Sequence, residues 1–530
     1  MGDLALVGAN GAGEAMVAVA ETPRQRFGLP LAVLSGLCLA AAFPSLEIAP
    51  LAWIGLVPLL FAIRGRTPGA AFRLGWTTGT VFFLVTCYWI VYTIRSYTDV
   101  PLPLALLILL LMSSVAGCYH GAFAAGLRWF ERRGLSPVWL APVLWVTLEW
   151  LRGWFFIGFP WAALGYSQYR FQALVQMAEV TGVYGVSAVL VLFNAVAAAV
   201  VGERGPRARR HLPALAALTL LVVVLVGLGQ WRLAALHAMP EIGRLRIGLA
   251  QGNVEQDQKW DPAFQDETMA RYRRLTLEAA GDRPALIVWP ETATPFFFQE
   301  SGPRRQEILG LAREVGTPIL FGAPAFRRLP DGAIEQLNRV YLLTGDGSEA
   351  ATYDKMQLVP FGEYVPFQSV LFFVQQAVQA VGNLGAGTVP TVFKLPGAAF
   401  GTLICYEGVF PALTRRFVHD GADFLVNVTN DAWFGRTSAP HQHLAMDTFR
   451  AIENRVPFVR AANTGISAVI DADGHIRWQG PLFEMLWHVD DIAWTGVRTV
   501  YTRHGDVFVW ACVVATLAAI AWGLARPPRA

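Results

Sequence analysis

The sequence predicts a polytopic α-helical membrane bundle of about eight spans, with an α/β domain inserted before the last span. Its 530 residues are 54% hydrophobic and only 15% charged, and the mean hydropathy is +0.41. Soluble globular chains usually carry about 25% charged residues. Apolar runs of membrane-spanning length recur through the first part of the chain. From about residue 243 to residue 500, short aliphatic runs alternate with polar stretches instead, which is typical of an α/β domain.

The apolar runs give the candidate spans and the arginines orient them. The spans lie at about 28–45, 49–63, 72–94, 101–127, 137–151, 173–201, 213–235 and 506–525. Arginines cluster after every second span, namely Arg64, Arg66, Arg73, Arg128, Arg132, Arg133, Arg204, Arg207, Arg209, Arg210, Arg526 and Arg529. The loops after the first, third and fifth spans hold only Arg95, Arg152 and Arg170. By the positive-inside rule, both termini are cytoplasmic and the inserted segment lies in the periplasm of a bacterium, with the chain in its inner membrane.

We therefore expect four parts along the chain. Residues 1–27 form a cytoplasmic N-terminal segment, and residues 28–242 form a membrane domain of seven spans. Residues 243–500 form the periplasmic α/β domain, and residues 501–530 form the last span with a cytoplasmic tail.

The inserted segment carries strand-like runs separated by two helical patterns. The runs lie at 245–249, 285–289, 318–321, 340–343, 402–405, 424–428 and 467–470. Residues 265–280 and 304–315 alternate charged and apolar residues at helical spacing. Several runs end in polar residues, at 251–253, 291, 405–407 and 429–431. Because α/β folds usually place their chemistry at the carboxyl ends of strands, these positions predict the functional site.

Charge and cysteine usage exclude several classes of function. The net charge of +3 is too small to predict nucleic-acid binding, and no basic run is interleaved with aromatic residues. The five cysteines show no C-x-x-C spacing, so neither a disulfide framework nor a cysteine zinc site organises the fold. Only Cys405 lies in a polar segment. His441 and His443 have no evident third metal ligand, so neither a metal nor another cofactor is expected.

Three residues at strand ends form the candidate catalytic set. Glu291 ends the run Leu286–Glu291, Lys355 follows Tyr353-Asp354, and Cys405 follows Leu403-Ile404. Taken singly, each has an ordinary explanation: a solvated carboxylate, a surface lysine and a small buried hydrophobic residue. Together they supply what cysteine attack on a carbonyl needs, namely a base, a cation for the oxyanion and a mounted thiol. Spacing alone leaves the catalytic and structural interpretations open.

The surrounding motifs carry a family resemblance. Trp-Pro-Glu-Thr, Tyr-Asp-Lys and Ile-Cys-Tyr-Glu resemble the Glu-Lys-Cys triad of the nitrilase, or carbon–nitrogen hydrolase, superfamily. More specific motifs lie at 149–154, 158–161, 165–168, 251–253, 259–260, 360–366 and 430–435. In this order they resemble the bacterial apolipoprotein N-acyltransferase family across nearly the whole chain. The resemblance implies a nitrilase-like αββα sandwich for the inserted domain.

The resemblance also implies a reaction. Cys405 would take an acyl chain from a membrane phospholipid as a thioester and pass it to the α-amino group of a diacylglyceryl-cysteine at the N-terminus of an apolipoprotein. Glu291 would be the general base and Lys355 the oxyanion partner, in a ping-pong cycle. Trp260, Glu363, Tyr406 and Glu407 match supporting positions of the family. The alternatives are a membrane-tethered amidase or nitrilase, in which water replaces the amine, and a transporter with a binding domain. Nothing in the sequence demands more than a monomer.

A lipid substrate predicts further features. Each exposed methylene costs about 0.8 kcal/mol, so the thiol is expected at the membrane surface. The runs Pro295–Phe298 and Val370–Val374 are then either lids that dip towards lipid or ordinary core. Glu149 and Arg152, one helical turn apart, are expected to pair near the outer interface.

Overall fold

The computed structural model describes residues 27–155, 158–202, 211–366 and 383–528. A helical region precedes an α/β domain, and one long helix follows it. The helices before the domain are Gly28–Ala41, Leu51–Ile54, Val57–Ala62, Pro68–Thr86, Trp89–Tyr97, Leu102–Arg132, Pro137–Arg152, the 3₁₀ helix Leu164–Gln168, Gln172–Val175, Ala178–Thr181, Val183–Gly202 and Leu212–His237. Those within and after it are Gln256–Lys259, Pro262–Phe264 (3₁₀), Gln265–Ala280, Pro303–Val315, Cys405–Val409 (3₁₀), Pro411–His419, Asp431–Phe434 (3₁₀), Ala439–Asn454, Val500–His504 and Val507–Leu524.

Four helices in the described part of the chain are long and apolar enough to cross a membrane. They are Leu102–Arg132, Val183–Gly202, Leu212–His237 and Val507–Leu524. Pro68–Thr86 and Trp89–Tyr97 add a fifth if this pair, bent by 52°, forms one broken span. The expected number of about eight is therefore not confirmed.

The shortfall has a physical cause. Two predicted spans form the shorter apolar helices Gly28–Ala41 and Leu51–Ala62. The predicted span 137–151 corresponds to the helix Pro137–Arg152, which has only 16 residues. A crossing needs about 20 apolar residues in one helix, so these three helices are too short to count as spans although their composition is apolar.

Within the described residues, twelve strands form two six-stranded sheets. They are β1 (Gly243–Gln251), β2 (Leu286–Val288), β3 (Ile319–Arg328), β4 (Ile334–Leu343), β5 (Glu349–Asp354), β6 (Val392–Leu395), β7 (Ala398–Ile404), β8 (Phe424–Thr429), β9 (Phe458–Ala462), β10 (Ala468–Ile470), β11 (Ile476–Gln479) and β12 (Leu486–Trp494). The first sheet has the order β12-β1-β2-β3-β4-β5 and the second has the order β11-β10-β9-β8-β7-β6. In each sheet three strands are parallel, β1-β2-β3 and β7-β8-β9, and the flanking strands are antiparallel.

The two sheets pack face to face between helices, as the αββα prediction requires. Leu249, Val288 and Leu320 of the first sheet share one buried core with Phe424 and Val426 of the second. Alternate residues of the first sheet point the other way because strand side chains alternate between faces. Trp289 and Phe321, for example, are buried beside Tyr272 of the helix Gln265–Ala280.

The helix Ala439–Asn454 joins the α/β domain to the helical region. Leu444 and Ala451 belong to the core between the sheets, whereas Met446, Phe449 and Ile452 pack into the core of the helical region. Almost every residue of this helix is buried as a result.

Each predicted run overlaps a strand, namely β1, β2, β3, β4, β7, β8 or β10, and these predictions are confirmed. The strands that the sequence did not predict contain polar residues, so they do not form the continuous apolar runs that the prediction relied on. β9, for example, contains the buried Arg460, and β12 alternates polar and apolar residues along its length. Of the two interpretations of Pro295–Phe298, Phe298 supports ordinary core and not a lid, because it is fully buried beside Phe321 and Tyr341. The other candidate lid, Val370–Val374, lies outside the described residues.

Candidate active site

Glu291 lies just beyond β2, with a buried carboxylate fixed at both oxygens. Its Oε1 accepts a hydrogen bond from Nδ2 of Asn338 at 2.7 Å, and its Oε2 accepts one from the main-chain N–H of Asn430 at 3.0 Å. The neighbouring strand contributes Gly322, where a Cβ would stand 2.4 Å from the main-chain nitrogen of Thr292. A glycine is therefore needed for β3 to approach the turn that presents Glu291.

Lys355 follows β5 directly, and its ammonium group lies between two carboxylates. Its Nζ is 2.7 Å from Oε1 of Glu363 and 3.4 Å from Oε1 of Glu291, and its side chain is 1% exposed. Burial lowers the pKa of Lys355, but the two carboxylates outweigh burial and hold this pKa above its ordinary value. The lysine therefore carries a positive charge in neutral solution.

Cys405 occupies the turn that ends β7. Its φ is +52°, in the left-handed region that residues other than glycine seldom adopt. The turn is stabilised by Nδ2 of Asn427, which donates to the Cys405 carbonyl at 3.1 Å. Burial, followed by Glu291, raises the pKa of the thiol, and Lys355 opposes them only in part. The thiol is thus protonated at rest, although a neighbouring lysine by itself would favour the thiolate.

Glu407 connects the cysteine turn to the lysine loop. Its Oε1 accepts hydrogen bonds from the Tyr353 hydroxyl at 2.8 Å and from the main-chain N–H groups of Met356 at 2.6 Å and Gln357 at 3.0 Å. Its Oε2 accepts the main-chain N–H of Ile404 at 2.7 Å. Burial raises the pKa of Glu407 to about 7, against the effect of these donors. The side chain therefore fixes the backbone on both sides of the reacting groups.

The two predicted aromatic residues lie in different surroundings. Tyr406 is buried, and its ring is nearly parallel to that of Trp161 from the helical region, with 6.5 Å between the ring centroids. Trp260 has an exposed fraction of 49% and directly follows the one-turn helix Gln256–Lys259. Tyr406 thus joins the site to the helical region, whereas Trp260 presents an indole at the surface.

Asn338, Asn430 and Lys259, which the sequence analysis did not select, hold Glu291 in place. The first two bind its carboxylate, and Nζ of Lys259 donates to its main-chain carbonyl at 3.1 Å. Burial lowers the pKa of Lys259 to about 8, and Glu291 acts in the opposite direction. Lys259 and Asn430 lie in motifs visible in the sequence, but Asn338 lies inside β4, where no pattern marks it.

A second cluster of buried charges lies beside Asn430. Arg460 donates to Oδ2 of Asp431 at 2.7 Å and also to Asp447. His443 lies 3.4 Å from Oδ1 of Asp431 and 3.0 Å from Arg460 through its Nδ1. Burial raises the pKa of Asp431, but Arg460 and His443 outweigh it and hold the pKa below its ordinary value. His443 is therefore part of an ionic cluster that fixes the segment carrying Asn430.

The chain matches known families in both of its parts. Residues 35–196 match the apolipoprotein N-acyltransferase N-terminal domain, and residues 246–490 match the carbon–nitrogen hydrolase family. An apolipoprotein N-acyltransferase of Geobacter metallireducens is 43% identical over 497 residues, which cover 93% of this chain and 95% of that protein. This chain belongs to the apolipoprotein N-acyltransferase family.

Two further relatives are similar along most of the chain. The apolipoprotein N-acyltransferase of Brucella melitensis is 34% identical over 84% of this chain and 86% of its own length. That of Chlorobaculum tepidum is 30% identical over 92% of this chain and 94% of its own length. Among solved structures, an amidase from Nesterenkonia sp. aligns with a TM-score of 0.37 and 20% identity, over 50% of this chain and 95% of its own.

Family membership gives the class of reaction. The chain is an acyltransferase of lipoprotein biosynthesis, and its carbon–nitrogen hydrolase domain fits a mechanism through a thioester. Its long apolar helices are compatible with a membrane location.

Proposed function

We propose that this chain transfers an acyl chain from a phospholipid to the α-amino group of a diacylglyceryl-cysteine at the N-terminus of an apolipoprotein, through a thioester on Cys405. One observation carries the assignment of the residues. Cys405, Glu291 and Lys355 are buried at three strand ends, Nζ of Lys355 lies 3.4 Å from Oε1 of Glu291, and the charges of both residues act on the pKa of the thiol.

In the first half-reaction, Glu291 removes the proton from the Cys405 thiol while the sulfur attacks the ester carbonyl of the phospholipid. The carbonyl oxygen becomes an oxyanion beside Lys355 and the main-chain N–H of Tyr406. When the tetrahedral intermediate collapses, the carbon–oxygen bond breaks and the leaving alkoxide takes the proton from Glu291. The products are a thioester on Cys405 and a lysophospholipid.

In the second half-reaction, the amine of the apolipoprotein attacks the thioester. Glu291 accepts a proton from the attacking nitrogen, and the same oxyanion site is used again. Collapse breaks the carbon–sulfur bond, and the proton on Glu291 returns to the sulfur. The cycle leaves an amide on the apolipoprotein and the resting thiol, which is ping-pong behaviour.

A lipid donor requires the thiol to lie close to the bilayer, since acyl chains leave it only at a large cost. The contact between Tyr406 and Trp161 supports this position, because it brings the residue after Cys405 against the helical region. We propose a multi-pass inner-membrane arrangement of about eight spans, with residues 28–242 and 501–530 holding the spans. The catalytic domain, residues 243–500, would face the periplasm and both termini the cytoplasm, with the protein acting as a monomer.

The amidase alternative uses the same three residues and differs only in the acceptor, which would be water. The match of residues 35–196 to the N-terminal domain of the acyltransferases favours transfer, because a hydrolase of soluble amides needs no membrane domain.

The test is mass spectrometry of the purified full-length protein after incubation with a phospholipid of defined acyl chain. We expect an acyl mass on Cys405 that is removed by a lipopeptide with a free diacylglyceryl-cysteine amine. Release of free fatty acid at the same rate without the lipopeptide would instead support the amidase. An acyl mass that persists in Cys405→Ala would contradict the assignment of the nucleophile.

A further inference from the structure

One glutamine side chain crosses from the catalytic domain into the helical region. Gln442 lies on the helix Ala439–Asn454 and is 3% exposed. Its Nε2 donates to the main-chain carbonyls of Pro44 at 2.9 Å and Thr86 at 3.0 Å. Thr86 ends the helix before the 52° bend, where carbonyl groups lack partners within the helix. The amide of Gln442 therefore supplies a hydrogen bond to the carbonyl at the break between these two apolar helices.

The oxygen of the same amide holds two indoles. Its Oε1 accepts hydrogen bonds from Nε1 of Trp161 at 2.7 Å and Nε1 of Trp89 at 3.3 Å. An indole N–H can only donate and a main-chain carbonyl can only accept, so the contacts fix which end of the amide faces which partner. Gln442 thus fixes three segments of the helical region at once, around Pro44, Thr86–Trp89 and Trp161.

Trp161 carries this restraint towards the nucleophile. Its ring lies nearly parallel to Tyr406, at 18° between the ring planes, and Tyr406 follows Cys405 in the chain. Trp161 is also held by Arg152, whose Nη1 donates a hydrogen bond to the main-chain carbonyl of Trp161 at 2.6 Å. Arg152 also binds the carbonyl of Phe159, while Glu149 accepts the main-chain N–H of Leu164, so these two charges position the loop.

We propose that Gln442 is a positioning residue for acyl transfer. It holds Trp161 against Tyr406 and thereby fixes the main-chain N–H of Tyr406. This N–H is the group that donates a hydrogen bond to the oxyanion. This proposal rests on the proposed function, because it concerns the geometry around the Cys405 thioester. It makes the reactive geometry of the catalytic domain depend on the packing of the helical region, through one hydrogen-bonded amide.

The experiment compares Gln442→Met with a matched control in the full-length protein. Gln176 is also a buried glutamine that crosses the junction, since its Nε2 donates to the carbonyl of Asp473 at 3.0 Å, but this bond lies elsewhere in the interface. We expect Gln442→Met to lower the maximal single-turnover rate of Cys405 acylation at least tenfold, with less than a twofold change in the phospholipid concentration at half-maximal rate. Gln176→Met should lower the melting temperature comparably and keep the rate within twofold of the parent chain.

A second variant tests the hydrogen bonds themselves. Gln442→Glu keeps an oxygen for the indoles, but it can donate to a carbonyl only when protonated. Its acylation rate relative to the parent chain should therefore rise at least threefold between pH 8 and pH 6, whereas the ratio for Gln442→Met should stay flat. If Gln442→Met does not fold, the pH dependence of Gln442→Glu alone tests the proposal.

Two results would overturn the proposal: a Gln442→Met rate within twofold of the parent chain, or equal rate losses in Gln442→Met and Gln176→Met. A flat pH ratio for Gln442→Glu would also count against it. These outcomes are distinct from failure of the proposed function, in which the parent chain itself would carry no acyl group on Cys405.

Discussion

The two sheets contribute unlike walls to the active site. The first sheet and the loop after it supply charge, because Glu291 and Lys355 follow β2 and β5, and Glu363 lies 2.7 Å from the lysine. The second sheet supplies Cys405, the proposed nucleophile, at the end of β7 and the main-chain N–H of Asn430 at the end of β8. Neither sheet holds a complete site, so the reactive set exists only when the two sheets pack together.

This difference assigns a separate task to each wall. In the proposed mechanism the charged wall moves the proton and stabilises the oxyanion, whereas the second wall holds the sulfur in a turn with positive φ. Changes in the charged wall should therefore slow the chemistry without unfolding the domain. Changes that loosen the connection between the walls should affect both rate and stability.

The largest effect is expected from Glu291→Gln. Burial and Glu291 hold the pKa of the Cys405 thiol above its ordinary value, so the sulfur needs the base in order to attack. We expect the rate of Cys405 acylation to fall by about 10³-fold, within the range for loss of a general base. Single-turnover mass spectrometry measures the rate. A loss of less than tenfold, in a variant with an unchanged melting temperature, would place the base elsewhere.

Lys355→Met should have the next largest effect. The substitution removes the cation at the oxyanion site and leaves Glu291 and Glu363 close together without it. We expect a fall of about 10²-fold in acylation, the lower end of the range for loss of one oxyanion partner. Parallel measurement of the amine half-reaction, starting from acylated protein, checks the role. Since the same oxyanion forms twice, a defect in only one half-reaction would contradict this assignment.

Glu407→Gln tests the connection between the walls. The new amide nitrogen would face a main-chain N–H donor whichever way it turns: Ile404 on one side, or both Met356 and Gln357 on the other. We expect about a tenfold fall in acylation together with a lower melting temperature. Glu453→Gln is the matched control, because Glu453 is equally buried but accepts the N–H of Val183 at the junction with the helical region. A rate loss as large in Glu453→Gln would attribute the effect to stability alone.

Sequence reasoning could select Glu291, Lys355 and Cys405 as candidates because their strand-end signals are local. A buried-type strand that stops at a polar residue is visible in one stretch of chain, as at Glu291 and Cys405. The contacts between sheets are not local, so Asn338, in mid-strand on β4, carried no signal despite its 2.7 Å bond to Glu291. The same limit explains why the sequence left the burial of Phe298 open. An apolar run that is exposed and one that is buried can have the same composition.

The charges of the helical region show the same limit. Glu149 and Arg152 were expected to pair because they lie one turn apart. In the structure each binds main-chain groups of the loop that follows their helix, Glu149 at Leu164 and Arg152 at Phe159 and Trp161. Helical spacing predicted that both charges lie on one face of the helix. It could not reveal that the loop after the helix returns to pack on that face.

Lys259 gives the smallest and most specific prediction. It is a second cation near the charged wall, and burial lowers its pKa to about 8. Below that pH its ammonium binds the Glu291 carbonyl, and above it the positive charge is lost. The acylation rate of the parent chain should therefore decline between pH 8 and pH 9.5. Lys259→Met should be a few-fold slower at pH 7 and lack this decline, because the titrating group is absent. If both proteins decline alike, another group controls the alkaline limb, and Lys259 only fills space beside Glu291.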